Sequence, residues 1–315
     1  MIRDPVIILG APRSGTSMLF ETLARSSRLW SLTDESHEVL EGPFHPRLRG
    51  WESNALVGED LDPDTADRLR AEFERCAQPG RLRRAKQDRR DSGRRRRLHY
   101  AIVRLGAAVR RRRCAEPIRL LEKTPKNCLR IPFLRVLFPD ARFVFLRRDG
   151  RATISSLIEG WQAGGRYESY RLPEPLHIAG HEGQGWCFLL PPGWRGLTGA
   201  SLEEVCAVQW LSSNEAVLEA LDALRAEKRV HELAYEDLVA RPRETLAPVL
   251  DFLDIPFEPA ILAGREQLRL VNVVSPPEND KWRRRNAGAI ERILPQIAAV
   301  QRALGYRHPS GTGSV

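Results

Sequence analysis

The chain reads as α/β: a three-layer fold with a central, mainly parallel sheet, helices on both faces and a helical insertion. Three observations predict it. Short apolar runs alternate with helix-compatible stretches; the first run opens into a glycine-bounded loop and then a helix; polar residues directly follow each apolar run. Strands that are apolar throughout are those covered on both faces, which is the signature of a parallel sheet.

The first strand, Val6–Leu9, feeds Gly10-Ala11-Pro12-Arg13-Ser14-Gly15-Thr16-Ser17, and a helix is expected over 17–25. This is the spacing of a phosphate-binding P-loop, in the strand–loop–helix setting that gives the spacing meaning. Backbone N–H groups of such a loop and the start of the next helix cradle a phosphate, and glycine permits close approach. Thr16 stands where an ATPase carries lysine. A loop that stabilises a transferring γ-phosphoryl group needs that ammonium and a metal ion. The threonine therefore points to a grip on a 5′-phosphate that is not itself transferred.

Further strands are expected at Ile118–Leu121, Phe143–Leu146 and Arg229–Leu233, and helices over 65–76, 98–112, 151–158, 202–227 and 243–253. Beyond these strands come Glu122-Lys123-Thr124, Arg147-Arg148-Asp149 and Tyr235-Glu236-Asp237. Ligands of open α/β sheets bind outside the carboxyl ends of the strands. Four strand ends thus converge on one edge.

A length of 315 residues with 42% hydrophobic content allows one large α/β domain or two smaller ones, and the expectation is a single domain over 1–309. Within it, about 55–115 reads as a basic helical insertion, and 310–315 as a flexible tail. The stretch at about 160–200 holds Trp161, Tyr167, Tyr170, Trp186, Phe188 and Trp194 among prolines and glycines. It reads as an irregular insertion, serving either as a lid over an acceptor pocket or as a self-packed loop. Cys76, Cys114, Cys128, Cys187 and Cys206 are widely spaced without a C-x-x-C pair, which argues against a disulfide framework and a zinc site. No apolar run approaches the ~20 residues of a membrane helix, so the expectation is a cytoplasmic chain without a transmembrane segment.

Residues 81–113 carry 15 Lys/Arg against two Asp, whereas the whole chain is only +9. Two readings stand: a solvated helical face, or a docking surface for an anionic acceptor, a membrane or nucleic acid. Nucleic acid is not expected, because Tyr100 alone interrupts the charges and no stacking platform forms.

The ordered set Pro12-Arg13-Ser14-Gly15-Thr16-Ser17, Leu121-Glu122-Lys123-Thr124-Pro125, Arg148-Asp149-Gly150-Arg151-Ala152 with Ser156, and Tyr235-Glu236-Asp237-Leu238-Val239 resembles the signatures of sulfotransferases, in particular the tyrosylprotein and carbohydrate branch. The resemblance covers about residues 3–306. It implies transfer of a sulfuryl group from 3′-phosphoadenosine 5′-phosphosulfate (PAPS) to a hydroxyl, less commonly an amine, leaving adenosine 3′,5′-bisphosphate (PAP). The acceptor is a small molecule, a carbohydrate or a peptide. It implies Arg13, Ser14, Gly15, Thr16 and Ser17 at the 5′-phosphate, Arg148 and Ser156 at the 3′-phosphate, and Tyr235 beside the nucleotide. Ser275 and Lys281, from a late loop, would close over it. One departure is Gly150, where the family commonly has proline.

Such a transfer requires charge to be neutralised and a hydroxyl to lose its proton. Arg13 and Lys123 are the candidate cations, although Lys123 also reads as an ion-pair partner of Glu122. The resemblance places a catalytic glutamate about twenty residues past the loop, within Asp34-Glu35-Ser36-His37-Glu38. Glu35 is the first candidate base, His37 the second and Glu41 the third; the bland alternative is that these are exposed loop residues. No metal is expected, since Phe143–Leu146 runs into arginine instead of an Mg²⁺-holding acid. Two other classes stay open: a P-loop kinase or NTPase, and a basic protein that binds nucleic acid or anionic lipid.

Overall fold

The computed structural model describes residues 1–32, 35–79, 117–174, 176–181, 185–262 and 280–306. The arginine-rich segment 81–113, the expected helix over 98–112, Asp34, Ser275 and the 310–315 tail lie outside the described residues.

Among the described residues the strands are β1 (Val6–Leu9), β2 (Trp30–Ser31), β3 (Gln78–Pro79), β4 (Leu120–Lys123), β5 (Arg142–Arg147), β6 (Glu168–Tyr170), β7 (Trp186–Cys187) and β8 (Val230–Ala234). Six form one sheet in the order β3-β2-β4-β1-β5-β8, parallel except for β3 at the edge. Strand β1 is buried along its whole length, because both faces of the sheet are covered.

Alternation within the strands builds two apolar layers. Val6, Ile8, Val144 and Leu146 pack with α1 (Thr16–Leu23) and, later in the chain, with Leu246, Val249 and Ile261. Ile7, Leu9, Phe143 and Phe145 face the other way, into the larger core. The remaining helices are α2 (His37–Phe44), α3 (Pro63–Cys76), α4 (Ile131–Leu137), α5 (Gly150–Trp161), α6 (Leu202–Ala226), α7 (Tyr235–Ala240), α8 (Pro242–Phe252), α9 (Pro259–Leu262), α10 (Lys281–Arg285) and α11 (Ala287–Ala303). Helices α5, α6 and α11 pack on one another over the larger core. The three-layer expectation therefore holds.

Some expected boundaries move. Strand β4 runs to Lys123, so Glu122 and Lys123 belong to the strand instead of following it. The stretch after Gly160 is not wholly irregular: β6 and β7 pair antiparallel, and Trp161, Trp186 and Trp194 are buried, with the Trp186 ring against both of the others. Helix α2 begins at His37, in a segment that composition alone left as loop.

Candidate active site

Register sets the site. Ile8 of β1 pairs with Lys123 of β4, and Leu9 with Phe145 of β5. The loop at 10–15 therefore leaves the sheet between the ends of its two neighbours. Its turn is closed by Ser14 N donating to Ala11 O (3.1 Å) and by Ser14 Oγ donating to the same oxygen (2.7 Å). Gly15 sits at φ 99°, and a Cβ there would stand 2.5 Å from the Tyr235 ring, so this position requires glycine. Gly10 N donates to Cys128 Sγ at 3.2 Å, and burial pushes that thiol up to about 12, keeping it neutral.

Lys123 is nearly buried, and its Nζ donates to Ser17 Oγ (3.1 Å) and to Glu35 Oε1 (2.5 Å). Its partner is thus Glu35 and not the adjacent Glu122. Glu122 is buried beneath the site, accepting from Thr124 Oγ1 (2.7 Å) and Asn127 Nδ2 (3.0 Å), and burial pushes its carboxyl up. Thr124 Oγ1 also accepts from Ser36 N at 2.9 Å. That bond pins the 35–37 turn to the end of β4 and brings Glu35 onto Lys123.

Burial alone would raise the Glu35 carboxyl, but Lys123 and the hydrogen bond with His37 outweigh it and hold the group well below the carboxylate range. Glu35 Oε2 lies 2.8 Å from His37 Nε2, and His37 keeps an exposed edge. Glu41, one turn along α2, is drawn away from a base's role. It accepts from Lys126 (2.7 Å), Arg130 (3.2 Å) and the Tyr170 hydroxyl (2.8 Å). Burial alone would raise the Glu41 carboxyl, but His37, whose Nδ1 lies 3.7 Å from Oε1, together with Lys126 and Arg130, outweighs it and holds the group far below its ordinary value, while burial lowers Lys126 to about 8.

The second cluster is cationic. Arg13, at φ 72°, donates Nε to Ser156 Oγ (3.2 Å) and Nη1 to the Tyr167 hydroxyl (3.1 Å). Arg148 donates Nη1 to the Arg13 carbonyl (2.9 Å) and lies 4.1 Å above the Tyr235 ring; its buried Nε has no hydrogen-bond partner. Asp149 caps α5 by accepting from Arg151 N (2.9 Å), as expected of an N-cap carboxylate. Lys281 pairs with Glu159 at 2.7 Å, one turn beyond Ser156 on α5.

The structure thus gathers Arg13, Ser14, Gly15, Thr16, Ser17, Glu35, His37, Lys123, Arg148, Ser156 and Tyr235 at one edge of the sheet, with Lys281 at its margin. Sequence reasoning quoted Ser36 and Thr124 within motifs without giving them a role, and missed Lys126, Arg130 and Gln301. A readable signal existed for the first network: His37 and Glu41 are four apart, and one face of a helix would hold them together. Among the described residues no cluster of three or more His, Cys, Asp or Glu is placed to hold a metal ion, and no helix is long and apolar enough to cross a membrane.

A family model described as "Sulfotransferase family" matches residues 5–182 and 188–259. A protein-tyrosine sulfotransferase of Drosophila melanogaster is 26% identical over 204 residues, covering 60% of this chain and 34% of that protein. Protein-tyrosine sulfotransferase A of Caenorhabditis elegans is 24% identical, covering 60% and 45%. The chain therefore spans less than half the length of these curated relatives. Among solved structures, the sulfotransferase STF9 of Mycobacterium avium superposes with a TM-score of 0.53 at 15% identity, covering 98% of this chain and 78% of that one. The sulfotransferase domain from the curacin biosynthetic pathway gives 0.50 at 19%, covering 98% and 99%. At such identities these likenesses speak for the fold.

Proposed function

The chain belongs to the sulfotransferase family, and from that premise we propose that it moves a sulfuryl group from PAPS to a hydroxyl acceptor. The observation that carries the proposal is Lys123, whose ammonium bridges Ser17 at the end of the phosphate loop and the carboxylate of Glu35. One cation thus joins the group that would hold the donor to the group that would accept the acceptor's proton.

The residues fit a bisphosphate donor. The loop amides, Thr16 and Ser17 would hold a 5′-phosphate at the start of α1. Arg148, with its buried Nε left open, and Ser156 would hold the 3′-phosphate through charge-assisted hydrogen bonds. The donor supplies an activated sulfuryl group. Lys123 and Arg13 would neutralise charge on the phosphate side, where a preorganised cation in a partly dry site is worth most. Glu35 would take the hydroxyl proton, with His37 orienting the carboxylate through Oε2 and Lys281 closing the nucleotide's far side. A carboxylate held low is a weak base, so it suits a phenolic hydroxyl of pKa about 10 better than an aliphatic one. Two curated relatives carrying the name protein-tyrosine sulfotransferase support the same acceptor class.

Calorimetric titration with PAP, against ATP with magnesium, tests the donor. Tight binding of PAP in the presence of a chelator supports the proposal; preference for Mg·ATP overturns it in favour of a phosphotransferase. Transfer of labelled sulfate from PAPS to tyrosyl peptides and to simple alcohols then separates the acceptor classes.

A further inference from the structure

Helix α11 carries a glutamine that the chemistry above does not use. Gln301 is 1% exposed, and both ends of its amide are engaged. Its Oε1 accepts from Gly150 N at 2.8 Å, and its Nε2 donates to Asp149 Oδ1 at 2.9 Å. These are the two residues that follow Arg148.

The same C-terminal segment reaches the turn twice more. Asp149 N donates to Glu236 Oε1 (3.2 Å), and Glu236 Oε2 accepts from the Tyr306 hydroxyl (2.6 Å). Arg147 Nη1 donates to Leu304 O at 2.5 Å. Residues 147, 149 and 150 are therefore each tied to Gln301, Leu304 or Tyr306, directly or through Glu236, while the Asp149 carboxylate is also held by Arg151.

The approach is close. A Cβ on residue 150 would stand 2.6 Å from Gln301 Oε1 and 2.7 Å from the Trp210 ring. Glycine at 150 has a reason here: its N–H is needed as a donor, which a proline would lack. A buried amide satisfied at both ends admits one orientation, with oxygen toward the N–H and nitrogen toward the carboxylate.

We propose that Gln301 is a positioning residue for the Arg148 turn, setting recognition of the donor's 3′-phosphate without touching the nucleotide. The inference rests on the reading of that turn as the 3′-phosphate subsite. It follows that the α11 end of the chain acts on donor selectivity through Asp149 and Gly150.

The test compares PAP with adenosine 5′-monophosphate, which lacks the 3′-phosphate, by calorimetry on the full chain. Gln301→Met keeps the volume and removes the paired hydrogen bonds. PAP affinity is expected to fall about tenfold while the monophosphate changes less than about twofold, since small misplacements of a clamp act on the group it clamps. Gln301→Glu keeps an acceptor for Gly150 but sets a carboxylate against Asp149, and lowers the same ratio. Equal weakening of both ligands, or an unchanged ratio, overturns the inference and leaves Gln301 a packing residue. Wild-type protein with no preference for PAP over the monophosphate would instead sink the subsite reading on which the inference stands. Gln301→Asn provides a second arm if those two variants do not fold: its shorter amide cannot reach both Gly150 and Asp149, so the ratio falls about two- to threefold, and an unchanged ratio in that folded variant overturns the inference.

Discussion

Lys123 Nζ stands 2.5 Å from Glu35 Oε1, two residues 88 apart in sequence, and the same ammonium is 3.1 Å from Ser17 Oγ. A cation shared in this way ties the fate of the proposed base to that of the glycine-bounded loop. Before a donor arrives, Lys123 stabilises the carboxylate. A donor that draws on the ammonium would weaken that hold and strengthen Glu35 as a base.

Substituting Lys123 separates chemistry from binding. Lys123→Ala is expected to lower kcat by about 10²–10³ while PAP affinity changes by only a few fold. Single-turnover transfer beside calorimetry checks this, and normal turnover would remove Lys123 from the catalytic set. Glu35→Gln is expected to abolish transfer with donor affinity nearly intact.

The pH profile follows from the sign of the Glu35 shift. Its carboxyl is held below the unfolded value, so the stability it contributes is fully present above the ordinary carboxylate pKa and is lost as pH falls through the folded one. The acid limb of kcat/KM should accordingly lie below the usual carboxylate range. In Lys123→Met that limb should move upward, because burial is then opposed by His37 alone. A limb that stays in place would show that another group controls it.

Gly15→Ala is expected to damage both fold and donor binding. The backbone at φ 99° and the 2.5 Å approach to Tyr235 leave no space for a methyl group. A loss of about 1–3 kcal/mol in urea unfolding, with PAP binding weakened beyond tenfold, is the expected outcome.

Glu41→Gln tests a structural ion cluster. It would leave Lys126 and Arg130, both nearly buried, without their carboxylate. Breaking a buried pair in this way costs about 3–5 kcal/mol. Equilibrium unfolding should register that loss while PAP affinity stays within about twofold, which distinguishes this cluster from the donor site.

Much of the fold was legible because it is local. Val6–Leu9 and the 143–146 run are apolar at every position, and alternation with helical stretches leaves few arrangements besides a parallel sheet. Strand ends were less legible, since Glu122 and Lys123 are charged yet belong to β4, where the ion pair to Glu35 and bonds from Thr124 and Asn127 permit burial. Helix α2 was missed because Gly42 and Pro43 lie in its last turn and Ser36 gives no side-chain cap. Of the site, the phosphate loop and Arg148 were visible as motifs with fixed spacing. Gln301 was not, because a lone glutamine in a helix carries no spacing that points to a partner 151 residues away.

The strand–loop–helix unit, the threonine at residue 16 and the polar residues that follow the apolar runs are legible directly from residue identity and spacing, because each involves only near neighbours in the chain. Which of those residues meet depends on long-range packing. The parallel register sets Lys123 beside β1, the Ser36–Thr124 bond carries Glu35 onto it, and Gln301 reaches the Arg148 turn from the far end of the chain. Neighbouring charge then settles the state of Glu35, whose carboxyl Lys123 and His37 hold low against the effect of burial.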